Sequence, residues 1–186
     1  MASAVDIANM ALIECGAESL TALSDTTERA RACNAAWPFV RRTVLRSHTW
    51  NPPIKRAQLD EDATAPLWGF DTRYALPNDY LRMLEVDTTY QWRIEGLYLY
   101  TDAAGDDLGV RYIYDETDPT KYDSTLTDTM VLFLAYRIMN RVSADKGMRD
   151  RIERQFQQFM AQAKNIDGQE QTPAELEDDT YITCRY

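Results

Sequence analysis

Apolar side chains in the first fifty residues recur at the three- and four-residue spacing of an amphipathic helix. A first helix is predicted over residues 3–16, with Ser3 and Asp6 in the positions of a capping box. A longer helix is predicted to begin at Ser24 or Asp25 and to run to about residue 47. Its core-facing stripe consists of Ala30, Cys33, Trp37, Val40 and Val44.

Beyond residue 50 the apolar positions alternate with polar ones, a pattern typical of β-strands. The run 51–53 (Asn-Pro-Pro) ends the preceding helix, because each proline restricts the residue before it. Short segments separated by turn residues indicate one compact antiparallel sheet. The predicted strands cover residues 54–59, 68–76, 82–87, 91–95, 97–101 and 110–114.

Helical spacing returns after residue 122, where Asp123 or Thr125 is placed to cap a third helix. Apolar side chains from Val131 to Met139 occur on every side of that helix, which predicts that protein surrounds it. A short break at residues 142–147 then leads into a fourth helix, so we expect an antiparallel helical hairpin.

The predicted fold class is α+β. We expect a four-helix bundle-like domain built from both chain ends, with a small antiparallel β-sheet region inserted and an extended C-terminal tail. The helical domain comprises residues 1–50 and 123–166, the inserted β region residues 51–122, and the acidic extended tail residues 167–186. The tail lacks the apolar content to order alone, yet residues 180–186 alternate in bulk like a strand.

Charge narrows the possible functions. Twenty Lys and Arg against thirty Asp and Glu give a net charge of −10. Duplex-binding proteins gain affinity by neutralising phosphates with clustered cations, so a dedicated DNA-binding protein is disfavoured. The longest apolar run is far shorter than the roughly 20 residues needed to cross a bilayer, and no signal peptide is apparent at the start of the chain.

Residues suited to catalysis are few. His48 is the single histidine of the chain, and it lies at a predicted helix end beside Trp50, where a structural role is favoured. Cys15, Cys33 and Cys184 are scattered and do not form a CxxC pair, so we interpret them as reduced thiols. We therefore predict no catalytic residue, no cofactor and no metal ligand.

Two groups of side chains have both a structural and an interfacial interpretation. Arg41, Arg42 and Arg46 place positive charge at a helix C-terminus, which stabilises the helix, and they also suit contact with an acidic surface of a neighbouring subunit. Trp68 and Trp92 in the β region either fill the core or act as anchors for a partner protein.

The order of several short motifs resembles that of the tail tubular protein A family, the head–tail adaptors of short-tailed phages and related prophages. The resemblance extends over nearly the whole chain up to residue 166, and it depends on the shared order of motifs that are individually short. The motifs are 8–16 (ANMALIECG), 25–31 (DTTERAR), 36–41 (AWPFVR), 45–51 (LRSHTWN), 74–80 (YALPNDY), 110–113 (VRYI) and 117–119 (TDP).

This resemblance implies a virion structural protein without enzymatic activity. It implies a dodecameric ring between the portal protein and the nozzle or distal tail, with tail fibres attached nearby and DNA passing through without specific binding. The location would be the virion neck, and the host cytoplasm during assembly. Under this interpretation Arg41, Arg42 and Arg46 are candidates for subunit contact, and Trp68 and Trp92 for distal-tail contact. Tyr181, Ile182, Cys184 and Tyr186 are candidates for portal binding by strand addition.

Two alternatives stay open at the level of sequence. The chain could be a generic binding module without a viral role, or an enzyme that uses His48 with carboxylates brought together by folding. The mass of the purified protein, alone and with a portal ring, separates the adaptor from the module. Loss of a defined turnover in a His48→Ala variant would indicate the enzyme.

Overall fold

Helices occupy both ends of the described chain, and strands occupy its middle. The computed structural model describes residues 2–105, 107–142 and 146–170. The helices are α1 (Ala4–Glu14), α2 (Glu28–Ser47), α3 (Ser124–Val142) and α4 (Lys146–Glu170), and a 3-10 turn covers Pro119–Lys121. The strands are β1 (Ile54–Leu59), β2 (Thr72–Ala75), β3 (Tyr80–Val86), β4 (Trp92–Glu95), β5 (Tyr98–Thr101) and β6 (Leu108–Tyr114).

The ends of α1 follow the prediction. The Ser3 hydroxyl accepts a hydrogen bond from the Asp6 backbone N–H at 3.2 Å, and the Asp6 carboxylate accepts one from the Ser3 N–H at 2.8 Å, so the capping box is confirmed. Just beyond the helix, Gly16 has a φ of +68°, in the left-handed region where glycine is favoured.

The predicted start of α2 is wrong by a few residues. Thr27, and neither Ser24 nor Asp25, is the N-cap, and its hydroxyl accepts a hydrogen bond from the Ala30 N–H at 3.2 Å. The Asp25 carboxylate instead accepts hydrogen bonds from the N–H groups of Thr21 and Ala22, which lie before it in the chain. That carboxylate therefore closes a turn in the loop and is not free to cap the helix.

The four helices do not form the predicted bundle. α3 packs against α1, α2 and α4, and among the described residues no other pair of helices shares a comparable contact. The apolar side chains on every side of α3 explain this arrangement, because each side needs a partner to cover it. The bundle-like architecture is thus wrong, although the broader α+β class fits.

The β region forms two sheets where one was expected. The first, named here the inner sheet, has the strand order β1-β6-β3, and the second, the outer sheet, has the order β2-β5-β4. All the strand pairs in both sheets are antiparallel. The inner sheet pairs segments more than 20 residues apart, and no hydrophobic period in the sequence specifies such pairing.

Each side of strand β6 faces a different hydrophobic core. Ile113 belongs to the core formed with the helices, which also contains Trp50 and the fully buried Leu134. Tyr112 belongs to a second core, together with Leu99 of the outer sheet. Because successive side chains of a strand point to opposite faces, β6 serves both cores. The result is a layered molecule in which the inner sheet lies between the helices and the outer sheet.

Candidate interaction surfaces

Arg41 is committed to a contact within the chain. Its guanidinium donates two hydrogen bonds to the carboxylate of Asp115, from Nε at 2.7 Å and from Nη2 at 2.9 Å. Each of the two side chains is only 12% exposed. Burial alone would raise the pKa of Asp115, but hydrogen bonds from Arg41 and Arg42 outweigh that effect and hold the pKa below its usual value. The pair fastens α2 to the segment that follows β6.

Arg42 and Arg46 also contact the β region, yet both remain exposed. Arg42 Nε donates to the Asp115 carboxylate at 2.9 Å. Arg46 Nη1 donates to the Leu81 carbonyl at 2.8 Å, which joins the end of α2 to β3. The structure therefore brings the three predicted arginines together on one helix, and it gives all of them intramolecular hydrogen bonds. Of the three, Arg42 and Arg46 keep the exposure that a contact with another subunit requires.

A second charged group, centred on Glu116, lies between β6 and α3 and was not predicted from the sequence. Glu116 is 4% exposed, and its carboxylate accepts hydrogen bonds from Lys121 Nζ at 2.7 Å and from the hydroxyl of Tyr114. Burial would raise the pKa of Glu116, but these hydrogen bonds and one from the Asp118 N–H outweigh it and lower the pKa. The acidic run at 115–118 directly precedes Pro119. These contacts show that it anchors the connection between β6 and α3.

Trp68 lies in a loop, and not in the strand predicted for residues 68–76. Strand β2 begins at Thr72, because Pro66 and Gly69 interrupt any regular strand before it. Leu67 is fully exposed and Trp68 is 87% exposed. Such adjacent large apolar side chains on a surface loop are a feature of interaction sites.

The loop of Trp68 borders a groove of about 310 Å³ on the outer face of the outer sheet. Tyr100 and Arg93 contribute to that groove, and Phe70 lies 6.4 Å from Tyr100 between ring centroids. Arg73 stacks on Tyr98 of the same face, 4.5 Å from the ring centroid. This surface combines aromatic rings with exposed charge, as protein interfaces often do.

Trp92 is separated from Trp68 by the sheet itself. It is the first residue of β4 and shares a face with Ile94, which packs against the core between the sheets. Arg93, the neighbour of Trp92, belongs to the opposite face and to the groove beside Trp68. The two tryptophans are both exposed, but they do not form one surface.

The remaining residues singled out by the sequence are structural or lie elsewhere. His48 is the C-cap of α2, and its ring meets that of Trp50 edge-on at 5.0 Å. Cys15 and Cys33 are buried free thiols, and burial raises the pKa of each to about 11. Both thiols therefore stay protonated near neutral pH. Tyr181, Ile182, Cys184 and Tyr186 lie outside the described residues.

The described residues form neither a metal site nor a membrane-spanning helix. Within residues 2–105, 107–142 and 146–170, no group of three or more His, Cys, Asp or Glu side chains is arranged to hold a metal ion. In the same part of the chain, no helix has the length and apolar character needed to span a bilayer. No protein-family model matches the chain, and no curated protein matches it.

Proposed function

We propose that the chain is the head–tail adaptor of a short-tailed phage or prophage, a structural protein that forms a ring between the portal protein and the distal tail. The proposal begins from the resemblance of its ordered motifs to the tail tubular protein A family. In this role the chain binds proteins on two sides, surrounds the passing DNA without holding it, and performs no reaction. It belongs to the neck of the virion.

One observation carries the proposal: large apolar side chains are exposed in two separate layers of the molecule. In the helical layer they are Met10, Ile13 and Phe39. In the outer sheet and its loop they include Leu67 and Trp68. A connector needs distinct surfaces for two neighbours, and exposed apolar groups of this kind are where such neighbours bind.

The direct test is an image of virions assembled with this chain. The expected result is a ring of copies below the portal, with the helices toward the portal and the outer sheet toward the distal tail. The proposal would be contradicted if the neck of the imaged virions contained no copy of this chain. It would also be contradicted if the chain were found only outside virions.

A second test concerns the tail, which supplies the candidate portal contacts. Deleting residues 174–186 should weaken attachment to the portal protein, because an extended peptide can bind by main-chain pairing along a strand edge. The melting temperature of the truncated protein serves as the control, and it should match that of the full chain. Unchanged attachment would show that the portal is bound elsewhere.

A further inference from the structure

One exposed side of α2 carries several arginines, with the aromatic ring of Phe39 in the middle. Arg31, Ala35, Phe39, Arg42 and Arg46, here called the α2 strip, lie at helical spacing and are all exposed. Phe39 is 65% exposed, although Trp37, two residues before it, is buried. Arg31 forms no ion pair with another described residue. The strip is thus a large apolar side chain flanked by exposed arginines, of which Arg42 and Arg46 also hydrogen-bond within the chain.

A groove with the opposite character lies between α1, α3 and α4. It measures about 310 Å³, and its apolar lining includes Val131, Leu132 and Phe159. Its charged lining consists of Glu14 and Asp128, and the described residues contribute no lysine or arginine to it. We call it the α3–α4 groove. A cavity of about 150 Å³ accommodates a benzene molecule, so this groove has room for a phenyl ring.

Among the residues that the structure describes, the two carboxylates of the groove have no strong partner. The only ion pair of Glu14 among the described residues is with Arg151, at 3.9 Å between two side chains that water reaches. Asp128 forms no ion pair with a described residue, and burial raises the pKa of its carboxyl group. A cation brought in by a partner would therefore offset the cost of burying this carboxylate.

We propose that the α2 strip of one copy docks into the α3–α4 groove of a second copy. Phe39 enters the apolar part of the groove, and Arg31 and Arg42 meet Glu14 and Asp128. Aromatic side chains buried in pockets of a partner often dominate the binding energy of an interface, and complementary charges beside them add specificity.

This contact joins two different surfaces, so it is heterologous. α2 and α4 each pack against α3 and share no comparable contact with each other among the described residues, and Phe39 is 65% exposed in the same copy. A heterologous contact repeats from copy to copy and closes into a ring when its rotation allows. The contact itself is argued from the structure, and only its closure into a ring rests on the proposed function.

The test uses two full-length variants that each block one surface. Phe39→Asp removes the anchor from the α2 strip, and the double substitution Glu14→Lys, Asp128→Lys reverses the charge of the groove. Self-association of each is measured by sedimentation over the whole range of protein concentration. Each variant should associate about thirtyfold more weakly than the native chain, the typical effect of losing an interface hot spot.

Mixing the two variants gives the decisive result. The groove of the Phe39→Asp chain and the α2 strip of the double variant are both intact, so an equimolar mixture should form a dimer with the native affinity and should grow no further. Leu97→Asp is the matched control, because Leu97 is 77% exposed in the turn between β4 and β5, away from both surfaces. It should associate like the native chain, and all variants should keep the native melting temperature.

Three outcomes would overturn the inference: native-like association of both variants, a mixture that stays monomeric, or a native chain that is monomeric at every concentration. These outcomes are separate from those of the adaptor proposal. Copies that associate through this contact but are absent from virion necks would refute only the adaptor role. A neck ring whose subunits meet through other surfaces would refute only this contact.

Discussion

Asp115 connects two parts of the molecule at the scale of single residues. Its carboxylate accepts hydrogen bonds from Arg41 and Arg42 of α2, while its own backbone N–H donates to the Asp79 carbonyl at 2.8 Å. Because both Arg41 and Asp115 are only 12% exposed, water solvates the Arg41 charge poorly if the Asp115 carboxylate is removed. The pair therefore holds α2 at a fixed position against the inner sheet.

Replacing Asp115 by Asn should lower the free energy of unfolding by about 3 kcal/mol, because it leaves the Arg41 charge buried without its counterion. Urea denaturation followed by tryptophan fluorescence measures the change. Arg93→Gln is the control, since the Arg93–Glu95 pair is exposed and 3.8 Å long. Its effect should stay within about 0.5 kcal/mol. Similar values for the two variants would contradict the role given to Asp115.

The same pair should make stability depend on pH in one direction. The pKa of Asp115 is lowered in the folded state, so its stabilising effect is complete above the unfolded value of about 4 and is lost as the pH falls through the folded value. The difference in unfolding free energy between the native chain and Asp115→Asn should shrink steadily below about pH 4. A difference that stays constant down to acid pH would show that the carboxylate charge is not responsible.

At the scale of elements, the start of α2 offers a direct comparison of two hydroxyl residues. Thr27→Ala should cost about 1 kcal/mol of unfolding free energy, because the Ala30 N–H loses its acceptor. Ser24→Ala, a few residues earlier in the loop, should change it by only a few tenths of a kcal/mol. Thermal unfolding of both variants measures the difference. A larger loss for Ser24→Ala would place the helix start where the sequence pattern predicted it.

Elements that depend on local signals were predictable from the sequence. The capping box of α1 and the all-round apolar surface of α3 lie within a few turns of chain, so the helical period and the caps indicate them directly. The division of the strands into two sheets was not predictable in this way. β1 and β3 both pair with β6, and the first of these pairings joins Ile54 to Ile113 across most of the β region. Such register depends on the packing of whole layers.

For the candidate surfaces too, the sequence predicts local exposure but not contacts between distant segments. The exposure of Phe39 could have been inferred, since it falls outside the buried stripe of α2. The partner of Arg41 could not, because Asp115 is 74 positions away in the sequence and is adjacent only after folding. Likewise, the α3–α4 groove exists only where three helices meet. Side chains that a single element exposes were predictable, and pairings between elements were not.

At the scale of the whole molecule, the layered arrangement separates the helical surfaces from the outer sheet. The inner sheet lies between them and contributes β6 to both cores, so it separates the two exposed regions. A structural connector needs this separation, because two neighbours can then bind without interfering with each other. The net charge of the chain adds a further condition, which concerns DNA.

The full chain should not bind duplex DNA. Its net charge of −10 repels phosphates at long range. In the groove of about 480 Å³ on the inner sheet, Arg56 and Arg111 are accompanied by the carboxylates of Glu85 and Asp87. Nonspecific DNA-binding proteins reach dissociation constants of roughly 10⁻⁴ to 10⁻⁶ M by releasing counterions from clustered cations, which this surface does not offer. Fluorescence anisotropy of a labelled duplex at low salt should stay constant across that concentration range. A rise in anisotropy that higher salt abolishes would contradict this prediction and the proposed role in which DNA passes without being bound.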